Sequence, residues 1–163
     1  MHLMPYSSTS SSPYKNKWRG VYNGTYVVEP GSGHFSSRSA SNSSSSMAYR
    51  FSATENRLKI DRKVDPEDGR PYFEFKTLDG VYSRKVRFYS GVPLQVVVVK
   101  AKDWSMTTRV VITVRKDVWI EAYQGSPPVT VKREFLGGGV LLVNYMADNV
   151  IYRKRFKKKE LFR

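Results

Sequence analysis

The chain has 163 residues, no cysteine, 40% hydrophobic and 13% aromatic residues, and 28 Lys plus Arg against 14 Asp plus Glu. Its length and apolar content suit one domain with a real core and are too rich for a wholly disordered chain. The lack of cysteine excludes disulfides, Cys-ligated metal and thiol chemistry, and the formal charge of +14 favours polyanionic partners such as nucleic acid or an anionic membrane.

Residues 1–15 read as a disordered Ser-rich leader without acidic residues. Such a start is compatible with a cytoplasmic protein or with a plastid or mitochondrial targeting segment. The domain then spans 16–158, followed by a basic tail at 159–163. Trp18 to Val28 is the first strand and Glu29-Pro30-Gly31 ends it. Gly31 to Ser46 is Ser-rich and expected to be a mobile loop. Strands follow at Met47 to Ala53 and Arg57 to Val64, joined by Thr54-Glu55-Asn56. Pro66-Glu67-Asp68-Gly69 is a turn in which Pro presets φ and Gly accepts a positive φ. Further strands are expected at Tyr72 to Thr77, Val81 to Tyr89, Leu94 to Ala101, Thr107 to Arg115, Val118 to Tyr123, Val129 to Phe135, Val140 to Tyr145 and Asn149 to Lys158.

About 8–11 short strands with frequent turns and no helical stripe predict an all-β protein. So many consecutive hairpins leave edges to hide, and closure into a single antiparallel up-and-down β-barrel hides them best.

Strand alternation sorts each run into two faces. Val131, Arg133 and Phe135 share the apolar face of one late strand, and Val150, Tyr152, Lys154 and Phe156 that of another. Two cations therefore point inward, where a lone charge is costly unless paired or bound to an anion. Arg133 or Lys154 either sits at a barrel mouth or pairs with Glu121 or Glu134, or the two face a cavity whose ligand carries an acid. Val96, Val98 and Leu142 are further candidates for an apolar lining.

The segments Val129-Thr130-Val131-Lys132-Arg133-Glu134-Phe135, Val140-Leu141-Leu142-Val143-Asn144-Tyr145-Met146 and Asn149-Val150-Ile151-Tyr152-Arg153-Lys154-Arg155-Phe156 resemble the last three strands of the intracellular fatty-acid-binding proteins, within the calycin group that includes the lipocalins. Asn16-Lys17-Trp18-Arg19-Gly20-Val21-Tyr22 resembles that family's first strand. The resemblance implies a barrel that holds a small hydrophobic ligand with an acidic head. It implies ligand contacts at Arg133, Lys154, Phe156, Tyr152, Val131, Phe135 and Leu142, with Trp18 closing the base. Lys154 and Phe156 stand where the family has an arginine and a tyrosine. The family's two lid helices have no counterpart here, since the Ser-rich stretch takes their place.

Other chemistry is poorly provided for. His2 and His34 are the only histidines, so neither metal binding nor a Ser–His pair is expected, and no cofactor is implied. The reading leans away from an enzyme, although a calycin enzyme or chromophore-attachment protein shares such a barrel. The main alternative is single-stranded nucleic-acid binding through cations and aromatics in Tyr82 to Tyr89 and Tyr152 to Phe156. Lys157, Lys158 and Lys159 are candidates for docking on an anionic membrane.

Overall fold

The computed structural model describes residues 22–37, 55–78, 84–101, 107–125 and 127–159. The leader, Trp18, the expected strand at Met47 to Ala53 and the last four residues lie outside the described residues. Eleven strands are present: β1 Gly24–Val28, β2 His34–Ser37, β3 Arg57–Val64, β4 Pro71–Thr77, β5 Arg84–Tyr89, β6 Leu94–Ala101, β7 Thr107–Arg115, β8 Val118–Tyr123, β9 Val129–Gly137, β10 Val140–Ala147 and β11 Val150–Lys158. From β3 to β11 each strand pairs antiparallel with the next. β1 pairs with β3 on one side and β11 on the other, which closes the sheet into a barrel.

β2 is a correction to the sequence reading. Residues 34–37 form a strand where a loop was expected. After β1 pairs with Phe156 to Lys158, the chain bends and β2 pairs with Val150 to Arg153 of the same strand. The bend is fixed by the Glu29 N–H donating to the Arg155 carbonyl at 2.8 Å. Gly33 passes so close to the Tyr152 hydroxyl that a β-carbon there would lie 2.2 Å from it. Backbone pairing along an otherwise open edge outweighs the weak strand propensity of serine.

The inward face carries the core. One end of the barrel, where the β3–β4, β5–β6, β7–β8 and β9–β10 turns lie, is filled by aromatic rings. Trp119 packs edge-on against Phe88 and Phe135 with centroids 4.8 and 4.6 Å apart, and Tyr22 lies 5.3 Å from it. Edge-to-face packing of this kind adds to the burial of the rings. Trp119 is thus among the residues that close this end. Toward the opposite end the inward residues become aliphatic: Val99, Val110, Ala147 and Val150 are buried.

Two strands fall in the opposite phase from the sequence reading. On β6, Val97 and Val99 face the core, whereas Leu94, Val96 and Val98 lie outside at 63%, 60% and 64% exposure. On β10, Leu141, Val143 and Tyr145 are buried, and Leu142 is on the outer face. The pairing with β9 shifts register between Val140 and Leu141, and this bulge sets the phase of β10. Leu142 therefore cannot line the interior.

The outer wall holds its own ion cluster. Glu74 on β4 accepts from Lys63 Nζ at 2.8 Å and from Arg87 Nε at 2.9 Å, and the two side chains cover it to 3% exposure. Burial pushes its carboxyl up, but the bonds from Lys63 and Arg87 more than offset this and hold the pKa below the ordinary value. A depressed folded-state pKa gives stability that is present above the unfolded value of about 4.3 and lost as pH falls through the folded value. Glu74→Gln should therefore flatten the acid side of the stability–pH curve measured by urea unfolding. An acid limb identical to that of the parent protein would contradict this.

Candidate functional site

Arg133 lies at the middle of β9, and its side chain is fully buried. Three features place it there: the apolar alternation of Val131 and Phe135 on its strand, its pairing opposite Trp119 of β8, and its pairing opposite Val143 of β10. Its guanidinium bridges two carboxylates. Nε donates to Glu121 Oε2 at 2.5 Å and Nη1 donates to Glu55 Oε1 at 2.7 Å. The guanidinium carbon also lies 4.5 Å from the Phe75 ring centroid. Burial opposes the positive charge, but the fields of Glu121 and Glu55 outweigh it and drive the Arg133 pKa further up. Arginine suits this place because its fork reaches both acids at once.

The acids are in turn held by hydroxyls. Tyr145 donates to Glu55 Oε1 at 2.6 Å, Thr77 donates to Glu55 Oε2 at 3.5 Å, and Tyr123 donates to Glu121 Oε1 at 2.7 Å. Lys154, 2% exposed, donates to the main-chain carbonyl of Glu55 at 2.5 Å and sits 5.1 Å from the Tyr145 ring centroid. Glu55 precedes β3 and is 0% exposed. It enters the barrel from the end opposite the aromatic closure and anchors its backbone and carboxylate on different cations.

The sequence expectations fare unevenly. Arg133, Lys154, Phe156, Val131 and Phe135 are all buried on the inward face, and Tyr152 is half-buried against the core. Of the two acids proposed as partners, Glu121 pairs with Arg133. Glu134 alternates to the outer face, where it lies 4.0 Å from Lys132. Phe156 offers no hydroxyl, and the hydroxyl on Glu55 comes from Tyr145 of the neighbouring strand. Glu55 and Tyr145 were not among the expected site residues. Glu55 lies 78 positions from Arg133, with no local pattern to connect them, although Tyr145 shares an inward face with Val143.

The two basic surfaces also change. In the first aromatic segment Phe88 points inward and Tyr89 outward, with Arg70 3.9 Å above the Tyr89 ring and Arg87 5.0 Å from that of Tyr72. In the second, Tyr152 and Phe156 both turn inward. Tyr82 lies outside the described residues, and the Tyr72 and Tyr89 rings are each covered on one face by a guanidinium group, which reduces the platform they offer to bases. Lys157 and Lys159 are exposed, but Lys158 alternates inward over Tyr26 at 5.6 Å, and burial lowers its pKa.

Solved structures share this architecture. One is described as the REP1-NXSQ fatty acid transporter, with TM-score 0.55, 15% sequence identity, and coverage of 86% of this chain and 97% of that one. Another is lipid binding protein 8 of Caenorhabditis elegans in its apo form, with TM-score 0.55, 18% identity, and coverage of 85% and 95%. The chain shares the closed antiparallel β-barrel fold of these two proteins. At such identities the likeness is one of fold, and it extends along nearly the whole of both neighbours. No protein-family profile matches the sequence, and a search of curated proteins finds no relative. The resemblance first visible in the last three strands thus extends to the architecture of the whole barrel.

Proposed function

We propose that the barrel is a non-catalytic carrier of a small hydrophobic ligand with an acidic head, fatty-acid-like in chemistry. The observation that supports it best is the seat of the Glu55 carboxylate. Inside a closed barrel, one carboxylate accepts from a buried arginine, a tyrosine and a threonine, while a buried lysine holds the adjoining backbone. A ligand carboxylate needs the same kind of donor set.

Charge decides how the head would enter. Arg133 and Lys154 supply two positive charges and Glu55 and Glu121 two negative ones, so the buried cluster is balanced as it stands. A third carboxylate beside them would be an uncompensated buried charge costing several kcal/mol. The head must therefore exchange with Glu55, whose side chain leaves Arg133 as the ligand arrives. Glu55 neutralises Arg133 when the barrel is empty, and it is the group with which the ligand competes. Val131, Val150 and Tyr152 then offer apolar surface to the tail on the side from which Glu55 enters. The neighbours described as a fatty acid transporter and a lipid binding protein agree with this class of ligand.

Calorimetric titration of delipidated protein with a long-chain fatty acid checks the reading. One-site saturable binding with little salt dependence is expected, because a buried ion pair is screened far less than surface charges. Failure to bind the fatty acid, together with oligonucleotide binding that falls steeply with salt, would replace this reading with the nucleic-acid one.

A further inference from the structure

The joint between β5 and β6 is short among the described residues, where Arg84 pairs with Ala101 and Lys85 with Lys100. Beyond them the Gln95 side chain takes the place of a strand partner, accepting from the Tyr89 N–H at 2.8 Å and donating to the Tyr89 carbonyl at 2.9 Å. Outside this joint lies a groove of about 270 Å³ whose walls include Asp65, which accepts from the Tyr89 hydroxyl, together with Arg70, Tyr72, Arg87, Gln95 and Val96. Along its β6 bank run Leu94, Val96 and Val98, each at least 60% exposed. The apolar surface continues across the sheet, where Val96 is paired with Val111 and Val111 with Ala122. Arg109, opposite Val98, is exposed at its margin.

From this arrangement we infer a membrane-docking face: the outer wall at β5–β6 seats on an anionic lipid bilayer. The aliphatic row enters the boundary of the acyl chains, and Arg70 and Arg109 meet acidic head groups, while Arg87 stays on Glu74. Tyr72 and Tyr89 lie between the two, at the depth where amphipathic rings are favoured. Charge complementarity selects this occupant. A second copy of the chain packed face to face would oppose arginines to arginines. Nucleic acid would leave the leucine and valines against phosphate, and each tyrosine ring is already covered on one face. The chain's excess of 14 positive charges adds attraction to an anionic leaflet. β6 lies on the far side of the barrel from β11, so this face is separate from Lys157 and Lys159.

Vesicle flotation tests it with the full chain, using phosphatidylcholine vesicles with and without phosphatidylserine. The parent protein should float with the acidic vesicles and not with the neutral ones. Val96→Ser with Val98→Ser should weaken partitioning about tenfold while the thermal transition stays in place, since both residues are on the outside. Arg70→Gln with Arg109→Gln should weaken it by a similar factor, and Lys157→Gln with Lys159→Gln by much less. The inference is overturned if the serine variant floats like the parent, if the lysine variant alone loses binding, or if the parent ignores acidic vesicles. It is also overturned if the serine changes instead abolish a concentration-dependent dimer or oligonucleotide binding.

Discussion

Arg133→Ala should destabilise the protein by about 3–5 kcal/mol, because it strands two buried carboxylates without their shared cation. Against a total stability of about 5–15 kcal/mol this is a large fraction, and at this chain length the midpoint of thermal unfolding should fall by roughly 6–20 °C. The loss comes from the charges left behind more than from the contact removed. Adding Glu55→Gln, Glu121→Gln and Lys154→Met to Arg133→Met should therefore restore much of the stability, since neutral side chains of similar shape leave no unpaired ion. Denaturant unfolding of the single and quadruple variants decides the point. A quadruple variant no more stable than the single one would mean that Arg133 acts through packing on Phe75 and not through charge.

The second large effect concerns the ligand. Glu55→Gln keeps the shape of the side chain and one acceptor oxygen for Arg133 and Tyr145, but removes the negative charge that neutralises Arg133. A fatty-acid carboxylate then meets a cation no longer competed for, and affinity should rise at least tenfold, about 1.4 kcal/mol. The alcohol of the same chain length carries no charge, and its affinity should change by much less. This contrast separates exchange at the cation from a general loosening of the barrel, which would move both ligands together. Equal changes for acid and alcohol, or a weaker grip on the acid, would contradict the exchange. A Glu55→Gln variant that unfolds below working temperature would show in the same calorimeter as a lowered transition, and addition of the acid should raise it more than addition of the alcohol.

The strands that carry the site were legible where polar and apolar residues alternate. Val131, Arg133 and Phe135 on β9, and Lys154 and Phe156 on β11, have charged neighbours on every intervening position, so only one phase buries the apolar set. Leu94 to Val99 and Val140 to Val143 offer no such signal, because apolar residues occupy both faces. Their phase is set by the neighbours they pair with and, for β10, by the bulge after Val140, which no local pattern announces. The same ambiguity hid the exposed valines of β6, whose apolar outer face is the basis for the membrane inference. β2 was hidden for a different reason. Its serines have little strand propensity of their own, and it forms because β11 presents a second length of backbone to be paired.

Glu55 was hidden most deeply. It lies in a short link before β3, and only closure of the barrel brings it to Arg133, Tyr145 and Lys154. The two inward cations did pose the need for a mouth position, a partner or a ligand, and Glu121 was one of the two acids named as a partner. That the remaining anion belongs to the protein itself followed only from the closed topology. The structure thus answers the charge problem posed by the sequence with an internal acid seated on the cations, and it raises the question of what can replace that acid.

A crystal structure with a long-chain fatty acid bound answers that question most directly. The account predicts the ligand carboxylate within hydrogen-bond reach of Arg133 and Tyr145, with the Glu55 side chain moved off the guanidinium. A ligand seated elsewhere, with Glu55 still bridged to Arg133, would contradict it.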